Sequence, residues 1–165
     1  MQRVAILGPA GAGKSELARR LSERTGLPVV YLDRIFWGPG WQPAAGAHEQ
    51  LERALRGDRW IADGNFLGDD SRFDRADTVV FLDLPRYLCI GAILWRALRD
   101  RRRERADLPD GAREGLDLEL LRWVWGYRKT DRPRVLALLA QLPDTVTVIH
   151  ARSRDEAAAI VPGDG

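Results

Sequence analysis

The sequence predicts an α/β domain: a parallel β-sheet with helices on both faces. Three observations carry that expectation. Short apolar runs alternate along the chain with amphipathic segments of helical period, as in successive strand–helix crossovers. The first apolar run breaks into a glycine-rich octet just before the first helical segment. Three aspartates, Asp33, Asp63 and Asp83, directly follow apolar runs. That places them at the carboxyl ends of strands, where open α/β sheets bind their ligands.

Residues 3–7 are apolar and end in glycine, the mark of a buried strand. Residues 14–24 carry Leu17, Ala18 and Leu21 at helical spacing, and Gly26-Leu27-Pro28 stops that helix. Strands are predicted over 29–32, 60–63, 78–82 and 145–150, and a loop over 38–43. A helix is predicted over 47–56, with Leu51 and Leu55 facing inward. From Pro85 to about Arg102, Ile90, Ile93, Leu94, Ala97 and Leu98 recur at helical spacing, and the opposite face is basic. Residues 107–115, with Pro109, Gly111 and Gly115, read as a loop. A tryptophan-rich helix follows over 116–128, a third from Pro133 to Leu142, and a short last one over 155–160.

A chain of 165 residues with 45% hydrophobic content suits a single domain with a real core. Within it, residues 86–130 read as a lid and its associated helices. Cys89 is the only cysteine, so no internal disulfide is possible, and the expected compartment is the reducing cytoplasm. The apolar stretch at residues 4–7 is too short for a signal or a membrane span. Net charge is only +2, but arginine supplies almost all the positive charge; the lysines are Lys14 and Lys129. Arginines crowd between Arg86 and Arg105. A guanidinium grips phosphate through paired N–H donors, which suits an anionic ligand.

Gly8-Pro9-Ala10-Gly11-Ala12-Gly13-Lys14-Ser15 matches G-x-x-x-x-G-K-[ST], the phosphate loop of P-loop nucleotide-binding proteins. Its glycines let successive backbone N–H groups point into one concavity, and the helix behind adds the positive end of its dipole. Lys14 places an ammonium on the β- and γ-phosphates of ATP, and the Ser15 hydroxyl ligates Mg²⁺. A Mg²⁺–nucleotide site also needs a nearby carboxylate, gripping the metal through water. Asp63 is the first choice and Asp83 the competitor. Asp33, beyond the second strand, is placed to orient the acceptor hydroxyl or take its proton. The plain alternative for each of these aspartates is a cap or turn residue. His48 and His150 have no partner spacing for a metal or for catalysis and read as structural. Cys89, on an apolar helix face, reads as buried and inert.

The order strand, phosphate loop, helix, Asp63-Gly64 after the third strand, and Phe81-Leu82-Asp83-Leu84-Pro85 before an arginine-rich helix resembles the adenylate kinase-like nucleoside and nucleotide kinases. A narrower resemblance exists. Leu32-Asp33-Arg34-Ile35-Phe36-Trp37-Gly38-Pro39-Gly40-Trp41 looks like the L-D-x-x-F-W-x-P-G-W segment of the bacterial FlaR family, named for DNA topology modulation. Asp63-Gly64-Asn65-Phe66 resembles its D-G-N-Y, with Phe66 in place of the usual tyrosine. Leu116-Asp117 with Leu121-Arg122-Trp123-Val124-Trp125 resembles its L-D-x-x-x-L-x-W-V-W. The resemblance covers residues 4–139. It implies a P-loop fold of nucleoside/nucleotide kinase type: a five-stranded parallel sheet flanked by helices, with an arginine-rich helical lid. It also implies ATP binding and kinase activity, but it leaves the acceptor open.

In kinases of this kind, transfer depends on positioning and charge neutralisation. Arg96, Arg99, Arg101, Arg102, Arg103 and Arg105 suit a lid over the transferring phosphoryl, and Arg128 and Arg132 flank the next junction. Arg99, Arg103 and Arg128 are the expected contributors. Trp123, Trp125 and Tyr127, with Trp37 and Trp41, are candidates for an aromatic acceptor pocket; core packing is the alternative for Trp123, and Trp37 and Trp41, in a loop near Asp33, are the candidates for acceptor contact. The expected activity is transfer of the γ-phosphoryl of ATP to a nucleoside, a nucleotide or another small hydroxylated acceptor. The competing expectation is a nucleotide-dependent regulator that binds nucleic acid through residues 86–105. The low net charge and the acidic neighbours Asp107, Asp110 and Glu114 weigh against a large DNA footprint.

Overall fold

The computed structural model of the chain describes residues 1–38, 42–65, 72–99 and 118–161. Trp41, Phe66, Arg101, Arg102, Arg103, Arg105 and the loop expected over 107–115 lie outside these. Five parallel strands form one sheet: β1 (Arg3–Leu7), β2 (Val29–Tyr31), β3 (Trp60–Asp63), β4 (Thr78–Leu82) and β5 (Thr147–Ala151), in the order β2-β3-β1-β4-β5. The expected sheet is therefore present, with β1 at its centre.

The strands alternate between two cores, as a period of two requires. Val4 and Ile6, Ile61, and Val80 and Leu82 face one layer; Ala5 and Leu7, Trp60 and Ala62, and Val79 and Phe81 face the other. All of these residues are buried, so neither face of the central strands meets water. Helix α1 (Lys14–Thr25) covers the first face with Leu17, Ala18 and Leu21. The other face is covered by α2 (Leu32–Phe36) and α3 (Ala47–Ala54), which bring in Leu32, Phe36 and Leu51. A short α4 (Arg72–Arg75) leads into β4. Helix α5 (Arg86–Arg99) packs on the first face through Cys89 and Ile93, and α7 (Arg154–Ala158) follows β5.

The amino ends of three strands meet at Asp77. Its carboxylate accepts from the backbone N–H of Gln2 (2.8 Å) and Arg3 (2.9 Å) and from the Thr78 hydroxyl (2.7 Å). Its backbone carbonyl accepts from Thr147 N at 2.9 Å. Burial pushes the Asp77 carboxyl up, but these hydrogen bonds outweigh it and hold the group below the usual carboxylate range.

Two expectations change. The second strand was expected over 29–32, but it ends at Tyr31, because Leu32 turns into the core as the first residue of α2. The helices expected over 116–128 and from Pro133 are one helix, α6 (Leu118–Gln141), with Pro133 inside it. The sequence reading took Pro133 as a helix start, where proline is favoured. Tertiary packing overrides it: Val124, Tyr127 and Val135 are buried from one continuous helix that touches both cores, while Pro133 lies on the exposed face.

Pro133 has no N–H to give to the Lys129 carbonyl, so it weakens α6 where nothing packs against it. Replacing it should help. Pro133→Ala is expected to raise unfolding stability by about 2 kcal/mol, the helix-interior cost of proline less what its stiffness saves in the unfolded chain. Urea melts of the two proteins check this; a less stable variant would mean that the fold requires a bend there.

Candidate active site

The octet expected to bind phosphate lies between β1 and α1. Its conformation depends on glycine in two ways. Gly11 (φ 80°) and Gly13 (φ 91°) occupy left-handed backbone that L side chains rarely adopt. Gly8 and Gly11 also lie against neighbouring main chain. A Cβ on Gly8 would sit 2.6 Å from the Leu82 carbonyl oxygen, and one on Gly11 only 2.2 Å from that of Cys89. Gly13 precedes α1 and no side chain caps that helix start, so its first N–H groups are left for a ligand in the concavity. Lys14 folds back across the loop, its Nζ donating to the Pro9 carbonyl at 3.3 Å. Ser15 follows in the first turn of α1, half-buried. Cys89 serves as a wall of this loop, and burial pushes its thiol up to about 11. That keeps it protonated and inert, as expected.

Sheet register brings the acidic strand ends beside the loop. Asp63 ends β3 opposite Ile6 of β1 and Tyr31 of β2, and it is buried. Asp83 follows β4 on the other side of β1. Its carboxylate takes both oxygens' worth of contact from Arg132: Nε lies 2.9 Å from each oxygen, and a terminal nitrogen lies 2.8 Å from Oδ2. The Nε2 of His150 lies 2.9 Å from the same Oδ2, and the His150 ring stacks on Phe81 at 5.0 Å. Burial pushes the Asp83 carboxyl up, but the Arg132 and His150 hydrogen bonds and charges prevail and hold it below the usual range. Asp33 lies exposed in the first turn of α2.

The arginines expected over the phosphates divide. Arg99 is exposed at the end of α5 and Arg128 is exposed on α6, while Arg103 lies outside the described residues. Trp123 is half-buried, as a core residue should be. Its ring meets Tyr127 edge-on at 5.4 Å, and its Nε1 donates to Asp131 at 3.0 Å. Trp125, by contrast, is exposed, with the Arg86 guanidinium 3.8 Å above its ring. Trp37 pairs with Pro43 in an isolated antiparallel bridge.

Three contacts near the site escaped the sequence reading. His150, read as structural, lies opposite Phe81 in the β4–β5 register and makes its structural contact to Asp83. Only the pairing of the two strands brings them together. Arg72 is fully buried and donates to the Gly64 carbonyl at 3.0 Å, with its guanidinium 4.6 Å from the Phe73 ring. Asn65 accepts from the Gly8 backbone N–H at 2.8 Å, joining the end of β3 to the phosphate loop. The last was detectable in principle, as part of Asp63-Gly64-Asn65-Phe66.

Oxygen donors at Ser15 and Asp63 fit Mg²⁺, which keeps several waters and takes few protein ligands. Among the described residues, no group of three His, Cys, Asp or Glu side chains forms a closed metal cage. No described helix is long and apolar enough to cross a membrane.

A sequence model of the isopentenyl transferase family matches residues 1–78, from β1 to the start of β4. An adenylate kinase of Mycobacterium leprae (strain Br4923) is 38% identical over 78 residues, 47% of this chain and 42% of that protein. The chain thus spans less than half the length of this curated relative. Among solved structures, shikimate kinase from Acinetobacter baumannii in complex with shikimate superposes with a TM-score of 0.57 at 20% identity, over 97% of this chain and 90% of that one. Deoxyadenosine kinase from M. mycoides, with dCMP and a flexible dCDP bound, gives 0.53 at 14% identity over 95% of each chain. The fold is that of the P-loop kinases: five parallel strands flanked by helices, with the glycine-rich loop after the first strand.

The low-lying Asp83 carboxyl has a consequence for acid stability. A folded-state value below the unfolded one stabilises the fold above about pH 4, and that contribution is lost as pH falls through the folded value. Asp83→Asn is expected to lower stability by about 2 kcal/mol at pH 7, because it leaves Arg132 and His150 without their anion. The gap should narrow below about pH 4. Thermal melts from pH 7 to pH 3 test this; a gap independent of pH would mean that the Asp83 charge plays no part.

Proposed function

We propose that the protein is a P-loop phosphotransferase that moves the γ-phosphoryl of ATP to a nucleoside, a nucleotide or another small hydroxylated acceptor. The observation that carries this is the concave loop of residues 8–15, shaped by glycines that leave no room for a Cβ, with Lys14 lying across it. The main-chain N–H groups of Ala10, Gly11, Gly13, Lys14 and Ser15 wrap the phosphates, while Gly8, Pro9 and Ala12 shape the turn, the Gly8 and Ala12 N–H groups donating to Asn65 and to the Pro9 carbonyl. The Lys14 ammonium serves the β- and γ-phosphoryl groups. Ser15 and Asp63 would hold Mg²⁺, which would supply neutralisation of the phosphate charge. Asp63 is preferred to Asp83 because both Asp83 oxygens are already engaged by Arg132 and His150.

Asp33 orients the acceptor hydroxyl and takes its proton as the phosphoryl group moves. Its exposure at the end of β2 leaves room for an acceptor. Arg99, Arg103 and Arg128 neutralise the charge of the phosphoryl in flight, with residues 86–130 forming the arm that carries them. The kinase folds matched over nearly the whole chain support this reading, as does the adenylate kinase likeness over 78 residues. The FlaR-like motifs at residues 32–41 and 63–66 support a reading as a member of that branch of the fold, with the cytoplasm as its proposed compartment. Their reading does not require a DNA partner.

The deciding assay incubates γ-labelled ATP–Mg²⁺ with a panel of nucleosides, nucleotides and small alcohols, with duplex DNA in parallel. Label is expected in a small acceptor, and Lys14→Ala is expected to abolish both transfer and tight ATP–Mg²⁺ binding. Salt-sensitive duplex binding without any transfer would overturn the proposal. Once an acceptor is found, Asp33→Asn should lower kcat by on the order of 10²- to 10⁴-fold while ATP affinity stays within about twofold of the parent. An unchanged kcat would remove Asp33 from proton transfer.

A further inference from the structure

Asn65 lies at a junction that the function proposed above does not use. Its backbone is fixed from two sides. The Gly64 N–H donates to the Ile6 carbonyl of β1 at 3.4 Å, and the Gly64 carbonyl accepts from the buried Arg72 at 3.0 Å. Gly64 itself (φ 153°) lies so close to α2 that a Cβ there would fall 2.6 Å from the Leu32 Cβ. The segment entering Asn65 therefore has little freedom to move.

The side chain is fixed too. The Gly8 N–H, first in the phosphate loop, must meet an acceptor, so the amide oxygen of Asn65 faces it, at 2.8 Å. That contact dictates where the other half of the amide points. Nδ2, with two N–H donors, is buried and has no hydrogen-bond partner among the described residues. A buried donor without an acceptor costs stability, a cost that an acceptor atom on a bound ligand removes. Asn65 comes off β3, between the phosphate loop after β1 and the acceptor side after β2. In the function proposed above, the phosphoryl group passes between those two strand ends.

We propose that Asn65 is a sensor of the terminal phosphoryl group: its Nδ2 donates to a γ-phosphoryl oxygen of the bound triphosphate, while its Oδ1 holds the Gly8 N–H. The site thereby distinguishes triphosphate from diphosphate. This rests on the nucleotide-binding reading above. The Asn65 side-chain amide is held by the loop's first N–H, so contact and cradle form one rigid unit. The acceptor atom supplied by the ligand completes the amide's hydrogen bonding only when a γ-phosphoryl group is present.

The test is calorimetric titration of the parent, Asn65→Asp and Asn65→Ala with ADP–Mg²⁺ and with the non-hydrolysable β,γ-imido analogue of ATP with Mg²⁺. Asn65→Asp keeps an acceptor for the Gly8 N–H but removes the donor; Asn65→Ala removes both. The readout is the ratio of the two dissociation constants within each protein. A loosened loop weakens both nucleotides alike and leaves the ratio unmoved. We expect the preference for the triphosphate analogue to fall by at least about tenfold in both variants, with ADP affinity in Asn65→Asp within about twofold of the parent. An unchanged ratio in Asn65→Asp, or in a folded Asn65→Ala, overturns the inference and leaves nucleotide binding intact. A parent that binds neither nucleotide overturns the phosphate-loop reading and this inference with it.

Discussion

The site depends on a close approach of backbone to backbone. The phosphate loop lies against the main chain of β4 at Leu82 and of α5 at Cys89, at distances that leave no room for a side chain on Gly8 or Gly11. Packing at that range fixes the loop's curvature before any ligand arrives. It also ties together elements distant in sequence: the loop closes over the end of β4, and α5 must lie where its carbonyl meets Gly11. Any side chain there would push the loop out of the seat from which its N–H groups converge. The buried, inert Cys89 belongs to this seat, as a small apolar wall.

Two carboxylates secure the sheet at opposite ends. At the amino ends, Asp77 gathers the start of β1 and the start of β4, and its backbone continues to β5. At the carboxyl ends, Asp83 gathers Arg132 of α6 and His150 of β5. Both resist the burial that would neutralise them, because several donors converge on each. The second carboxylate has the larger functional consequence. It anchors α6 to the end of β4, the strand whose Leu82 carbonyl faces Gly8 of the phosphate loop. The arginines of α6 are thereby referred to the same frame as Lys14 and Asp63.

Much of this was legible along the chain. The strands at residues 3–7, 60–63 and 78–82, and helix α1, appear where apolar runs and glycine stops indicate them, because their signals are local. Asp63 and Asp83 are at strand ends for the same reason. The miscounted helix at residues 118–141 shows the limit of local signals: Pro133 carries a strong one, but burial of Val124, Tyr127 and Val135 by one continuous element outweighs it. Leu32, strand-like in sequence, turns because its side chain fills the space under Gly64.

What the sequence by itself determined was the chemistry on offer: a glycine-rich turn with one lysine, carboxylates after strands, and arginine where anions are handled. Periodicity and glycine placement act over a few residues and are written in the chain. What only the tertiary structure decided was which of these groups meet. Strand order places Asn65 under Gly8, register sets His150 opposite Phe81 and beside Asp83, and helix packing delivers Arg132 and Arg72. Those partners are separated by 8 to 67 residues along the chain. No local pattern records such a meeting, because it arises from packing whole elements together rather than from the order of neighbours.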